Sequence, residues 1–284
     1  MPKKQPTITL IGAGNLALAL APALRAAGYR IDEIVSRSAA NSRRAAVALA
    51  RKVGAHAVTI ANARLTSDVV WFCVGDRDIA PAAADFAKAA DWEGKIAFHS
   101  SGALTSDELD ALRRRGAQVA SLHPMMTFVR SSAPSLTGVG FAVEGDRAAV
   151  QVGKRLARDL GASVFAIRKS AKPLYHAWGA FGSPVVIMEL ALAERVARAA
   201  GIAPAEARRT IEPIVRRTID NYFAYGAAAS FSGPLVRGDV DTVRRHLHQL
   251  SRVPGAKEAY VSLVRSALRT LPVARKAEIM RLLK

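Results

Sequence analysis

Two glycines and an arginine, set at the spacing of a nucleotide-binding turn, carry the first chemistry legible in this chain. The apolar run Ile8-Thr9-Leu10-Ile11 leads directly into Gly12-Ala13-Gly14-Asn15-Leu16-Ala17. A buried strand, a tight turn and a helix start in that order place a dinucleotide pyrophosphate on a helix N-terminus. Gly12 lets the turn form, Gly14 removes the Cβ that would block the phosphates, and Ala17 lets the helix pack close to the strand. Ala13, Asn15 and Leu16 complete the expected cradle. The plainer reading is a glycine turn in an ordinary α/β domain; the strand before it and the amphipathic Leu16 to Ala27 segment after it favour the nucleotide. A second strand, Ile31 to Val35, ends in Ser36-Arg37-Ser38, roughly 20 residues past the turn, where NAD-binding chains carry an acid for the ribose hydroxyls. No acid stands there. Arg37 can stack on adenine or pair with a 2′-phosphate, Ser36 and Ser38 can donate to it, and Asn41, Arg43 and Arg44 follow. The cofactor expected is NADP+ or NADPH, against the plainer reading of a solvated arginine-rich helix face.

Other candidates follow the strand ends, where ligands of doubly wound sheets bind. Val74 runs into Gly75-Asp76-Arg77-Asp78, Phe98 into His99-Ser100-Ser101-Gly102, and Leu122 into His123-Pro124-Met125-Met126. These loops should converge on a nicotinamide, with Val74, Gly75, Ser100 and Ser101 touching the cofactor. Ser101-Gly102 fits equally as the cap of a helix beginning near Thr105. His123 precedes a proline, which holds it extended and lets it point into the cleft; anchoring the loop is its plainer role. Lys172 and His176 are four apart, so on a helix starting near Ala171 both project from one face. A capping lysine and an ordinary packed histidine are the alternatives. Arg237 could clamp a substrate carboxylate, while Asp239 is better suited to cap the helix from Val240. His246 and His248, two apart, lie on different helical faces, and no metal is implied.

The elements that must position these residues alternate. Strands are expected at Ala57 to Ile60, Val69 to Val74, Lys95 to His99, Val119 to Leu122, Gly140 to Glu144 and Ser163 to Ile167. Helices from Ser42 to Lys52 and Ile79 to Ala90 separate them. This is an α/β Rossmann-type domain with a mostly parallel, doubly wound sheet, residues 1–168. From Ala171 onward helical periodicity takes over, at Pro173 to Ala200, Pro204 to Ala228, Val240 to Leu250, Ala256 to Leu271 and Val273 to Leu283. An all-α domain, residues 169–284, is expected for substrate binding and dimerisation. Its stretch Pro184 to Ala193 is apolar on nearly every face, which requires burial, a second subunit being one source.

With 284 residues and 50% hydrophobic side chains the chain is globular. No stretch nears about 18 uninterrupted apolar residues and no signal core follows Met1-Pro2-Lys3-Lys4, so a cytoplasmic protein is expected without a membrane partner. The single cysteine, Cys73, excludes an internal disulfide and reads as a core residue. The net charge of +18 raises the question of nucleic acid, but both halves are basic, +8 and +10, and no aromatic-interleaved strip exists. Scattered solvated faces and a field favouring anionic ligands account for it.

Together, Gly12-Ala13-Gly14, His99-Ser100-Ser101-Gly102, Leu122-His123-Pro124-Met125, Lys172-Pro173-Leu174-Tyr175-His176 and Ser232-Gly233-Pro234-Leu235-Val236-Arg237-Gly238-Asp239 resemble a family of Rossmann-like oxidoreductases. Their helical C-terminal domain is the domain of unknown function DUF2520. The resemblance covers essentially the whole chain. It is more distant to pyrroline-5-carboxylate reductase, ketopantoate reductase and the β-hydroxyacid dehydrogenases. Those relatives imply an NADPH-dependent reductase, usually dimeric, with its active site between the domains. The β-hydroxyacid dehydrogenases place a lysine and, four residues on, an asparagine, which makes Lys172 the expected proton donor and His176 its partner or a second donor, with His123 next. Here His176 replaces the amide, and Ser183-Pro184 stands where Ser-Asn is expected of a substrate contact. The expected function is NADPH-dependent reduction of a small anionic carbonyl or imine compound, a keto acid or a ketopantoate- or pyrroline-carboxylate-like molecule, with Ser183 and Arg237 on the substrate. A non-catalytic NADP(H)-binding regulator or redox sensor, and a nucleic-acid-binding protein, are the alternatives.

Overall fold

The computed structural model describes residues 5–129 and 133–284; Met1 to Lys4, the start from which a signal core was argued against, lie outside the described residues. Short apolar runs punctuated by glycine turns build β1 (Ile8–Ile11), α1 (Asn15–Ala26), β2 (Ile31–Ser36), α2 (Ala40–Val53), β3 (His56–Thr59), β4 (Val69–Phe72) and α3 (Asp76–Ala89). They continue through β5 (Ile96–His99), α4 (Asp110–Arg113), β6 (Gln118–Pro124), β7 (Gly140–Gly145), α5 (Arg147–Asp159) and β8 (Ser163–Ala166). Every expected strand forms, with ends moved by at most two residues. The eight strands make one sheet in the order β3-β2-β1-β4-β5-β6-β7-β8. Neighbours run parallel from β3 to β6, β7 lies antiparallel to β6, and β8 is parallel to β7.

Alternation of side chains across the pleat divides the strands between two apolar layers. Leu10, Trp71, Phe98 and Leu122 pack with α1, α2 and α5, whereas Ile11, Phe72, Ala97 and Val119 pack with α3 and α4. Both sheet faces are covered, which is why β1 and β4 are apolar at every position but Thr9. The helix expected from near Thr105 is instead a 3-10 turn at Ser106–Leu109 followed by the single turn α4.

The chain then forms α6 (Lys172–Gly182), α7 (Pro184–Ala199), α8 (Pro204–Ser230), α9 (Pro234–Arg237), α10 (Val240–Leu250), α11 (Ala256–Thr270) and α12 (Lys276–Leu282). The single helix expected over Pro173 to Ala200 is broken at Ser183, whose φ/ψ of −137°/−81° are non-helical. Pro184 causes the break: its ring crowds the preceding residue and it has no N–H to bond back into α6. Two compact units result, residues 1–183 and 184–284. The division falls at Ser183/Pro184, and α6, expected to open the helical domain at 169, belongs to the first unit. In the second unit Leu235, Val243, Leu247, Val264, Leu268 and Ile279 form a core from α9 to α12. α7 contributes nothing to that core and has no buried residue. α8 bends at Gly226, with φ/ψ of 79°/172°. The final helix starts at Lys276 rather than at Val273.

Candidate active site

A cavity of about 500 Å³ opens at the carboxyl ends of β1, β2 and β4, where the strand order reverses and ligands of such sheets bind. Gly12 closes its floor: the Gly12 N–H donates to Val35 O at 2.8 Å, and φ is +105°. A Cβ there would stand 2.5 Å from Cys73 O, so glycine alone fits. At Gly14 the protein sets no such limit, since a Cβ would meet only Cys73 O at 3.8 Å. The empty space at Gly14 therefore serves whatever approaches from outside. Gly14 caps α1 with no side-chain hydrogen bond and no acid in the first turn, leaving the helix N-terminus free for an anion. A pyrophosphate fits this cradle.

At the end of β2, Ser36 and Arg37 enter the cavity wall with Asn41 of α2. The strand does carry acids, and both are engaged elsewhere. Glu33 accepts from the Arg64 and Leu65 N–H groups at 3.2 and 3.1 Å, and Asp32 accepts from Ser67 Oγ at 2.7 Å. Nothing acidic on β2 competes with Arg37 for a phosphate. Across the cavity stand Val74 and Gly75, then Asp78, Pro81 and Asp85 of α3. Cys73 also borders it, but burial pushes the thiol pKa up to about 12, so it is not a nucleophile.

From the cavity the strand ends lead stepwise through β4 and β5 to β6, at about 4.8 Å per strand. Ser101 Oγ donates to Asp76 Oδ2 at 2.9 Å and accepts from the Ala103 and Leu104 N–H groups, tying the loop after β5 to the start of α3. Ser100 Oγ accepts from Trp71 Nε1 at 2.8 Å and donates to Leu122 O at 3.0 Å. Both serine side chains are thus occupied in shaping the loop. His99 is fully buried; Nδ1 accepts from the Ser101 N–H, so Nε2 carries the proton and donates to Thr105 O at 2.9 Å. Burial, and then the Lys172 charge, lower its pKa to about 4.

One strand further, His123 Nδ1 shares a 2.7 Å hydrogen bond with Tyr175 Oη of α6. The His123 and His176 rings lie 6.4 Å apart, edge to face. Both rest on Gly102: a Cβ there would be 2.8 Å from His123 Nε2 and 2.7 Å from His176 Cδ2. Burial first, and the charges of Lys172 and His176 next, lower the His123 pKa to about 4, while burial raises Tyr175 to about 12. Lys172 points inward and is 1% exposed. Its ammonium donates to Ser101 O at 2.9 Å and to Ser121 Oγ, and lies 3.8 Å from Glu144 Oε1. Burial lowers its pKa to about 8, against the opposing pull of Glu144 and Asp76.

Of the residues singled out in the sequence, the cavity brings together Gly12, Ala13, Gly14, Ser36, Arg37, Val74 and Gly75. Asn15, Leu16 and Ser38 stand outside its wall; Asn15 Nδ2 instead donates to Phe128 O at 3.0 Å. His123 and His176 meet over Gly102, whereas Lys172 faces the interior. Ser183 sits at the helix break, and Arg237 is exposed in the last turn of α9, in the second unit. Tyr175, Gly102, Ser121 and Glu144 were not singled out as site residues. Glu144 becomes part of the cluster only because β6 and β7 place it opposite Ser121. Among the described residues no group of three or more His, Cys, Asp or Glu side chains could hold a metal ion, and no helix is long and apolar enough to cross a membrane.

Protein TM1727 of Thermotoga maritima shares this fold with a TM-score of 0.74, at 24% identity over 97% of this chain and 100% of its own. An imine reductase of Myxococcus stipitatus, a V8 variant in complex with NAD+, gives 0.65 at 19% identity over 99% of both chains. A pyrroline-5-carboxylate reductase of Coxiella burnetii gives 0.60 at 17%, over 98% of this chain and 95% of its own. At these identities the likeness is one of fold. The search of curated proteins returned no match. Family models match residues 2–124 as a Rossmann-like domain and residues 139–267 as the domain of unknown function DUF2520, so the chain joins a Rossmann-like domain to a DUF2520 domain.

Proposed function

We propose that the chain is an NADP(H)-dependent oxidoreductase that reduces a small anionic carbonyl or imine compound. The observation that carries this reading is the cavity at the β1/β4 reversal, with an open glycine cradle at a helix N-terminus and Arg37 at the end of an acid-free strand terminus. Arg37 would hold the 2′-phosphate and the α1 N-terminus the pyrophosphate. When bound, the nicotinamide supplies the hydride. His123, three strands from Gly12, would bond the heteroatom of the substrate. The net charge of +18 favours an anionic substrate. Structural neighbours named as imine reductase and pyrroline-5-carboxylate reductase support the same chemistry. A turnover screen over keto acids and cyclic imines, following NADPH absorbance, tests it.

One observation favours a second reading, a non-catalytic NADP(H)-binding regulator: the Lys172 ammonium is engaged within the protein. NADPH binding without turnover across the panel would select it. The proposal includes a homodimer built on α7 and α8, since Ile187, Met188, Ile214 and Phe223 are 64%, 65%, 66% and 81% exposed in the single chain.

A further inference from the structure

We infer that Lys172 is a positioning residue, whose buried ammonium ties the loop after β5 to β6 and stands as a neighbouring positive charge to the His123 imidazole that meets the substrate. The inference rests on the proposed reductase only for the substrate; the tie and the charge are properties of the chain itself.

The amine is buried within the protein, its side chain 1% exposed. Two of its protons go to Ser101 O, at 2.9 Å, and to Ser121 Oγ, and Glu144 Oε1 lies 3.8 Å away. Glu144 is itself held, accepting from the Ser106 N–H at 2.7 Å and Ser106 Oγ at 2.9 Å. An ammonium this buried persists only with a carboxylate and hydrogen bonds beside it, and this cluster supplies one carboxylate and two bonds. A lysine that exchanged protons with a ligand would have to leave these bonds and strand Glu144 as an unpaired buried charge. What the bonds accomplish is local: Ser101 O belongs to the residue before Gly102, and Ser121 lies two residues before His123 on β6. Lys172 therefore sets the distance between the Gly102 backbone and the strand that carries His123.

The charged and titratable groups facing this cluster come from every element packed on it. Asp76 opens α3, His99 ends β5, Glu144 is on β7, and Lys172, Tyr175 and His176 are on α6. Positive charge next to a half-buried imidazole disfavours a second positive charge on the ring. Burial first, and this charge next, hold His123 neutral well below the usual histidine range. In the tautomer we assign, the Tyr175 phenol donates to Nδ1 and the ring proton sits on Nε2, over Gly102. His123 then offers a neutral hydrogen-bond donor to a substrate oxygen or nitrogen, and Lys172 offers none.

The test is a histidine-ring NMR titration of the full-length protein. In the wild type His123 is expected to stay neutral through the range around pH 6.5 in which a free histidine titrates. In Lys172→Met its pKa is expected to rise by about one unit. A merely structural lysine would leave that value unmoved in a folded variant. Wild-type titration of His123 near 6.5, or an unchanged His123 pKa in folded Lys172→Met, overturns the inference. Should Lys172→Met fail to fold, Lys172→Gln, which keeps a hydrogen-bond donor and loses the charge, is expected to give the same rise, and an unchanged His123 pKa there overturns the inference. Neither measurement needs cofactor or turnover, so failure of the reductase reading would show separately, as absent NADPH binding by calorimetry.

Discussion

Arg37 is a single side chain on which cofactor preference should turn. NADPH is expected to bind at least about tenfold more tightly than NADH, a difference of about 1.4 kcal/mol, and Arg37→Asp should abolish most of it. Equal dissociation constants for the two cofactors in the parent protein, by titration calorimetry, would exclude that role. Gly102 allows a second expectation. Gly102→Ala puts a methyl against both His123 and His176, so turnover should fall by about 10²-fold or more while NADPH affinity changes little, the size of effect for a displaced proton-transfer group. Parent-like rates in that variant would remove the histidine pair from the chemistry. His99 and His123 also make stability depend on pH. Each has its pKa lowered from 6.5 to about 4, so between those values the unfolded chain binds more protons than the folded one. Stability is therefore present above about 6.5 and is lost as pH falls toward 4. Denaturant titrations over that range should show the loss, and His99→Gln should flatten it. The positions of Gly12, Gly14 and Arg37 at the cavity were legible in the sequence because each follows directly from the end of its strand. Tyr175, Gly102 and Glu144 were not, because each gains its role from a contact between residues dozens of positions apart.

Elements were legible where one period dominates. The strands are short apolar runs bounded by turn residues, and that pattern marks them to within two residues. Ser183 is the contrary case. Apolar spacing runs unbroken from Pro173 to Ala200, so periodicity implies one helix, and only the steric demand of Pro184 on its predecessor divides it. Periodicity equally gives no sign that α6 belongs with the sheet; the buried Lys172 and Tyr175 side chains that join it there look like any helical face. Helix starts were more readable. Asp239 caps α10 as expected, accepting from the Thr242 N–H at 3.1 Å and from Thr242 Oγ1 at 2.7 Å. Asp239→Ala should lower stability by about 1 kcal/mol, measured by chemical denaturation, with NADPH affinity unchanged. A loss below about 0.3 kcal/mol would mean that the cap contributes little at this end of α10.

For the whole molecule the testable quantity is mass. Under the proposed dimer, light scattering at low micromolar concentration should give about twice 30.2 kDa. A mass near 30.2 kDa throughout a dilution series would leave α7 without a partner and end that proposal. The direction change between β6 and β7 has a consequence of another kind. The Rossmann-like match ends at residue 124, the last residue of β6, although the sheet continues through two more strands. A fragment cut at that family boundary would leave β6, seven residues long and mostly buried, as a raw edge whose unpaired N–H and C=O groups invite another chain. Residues 1–124 should therefore aggregate on expression where residues 1–183 stay dispersed, because the compact unit extends past the matched Rossmann-like segment.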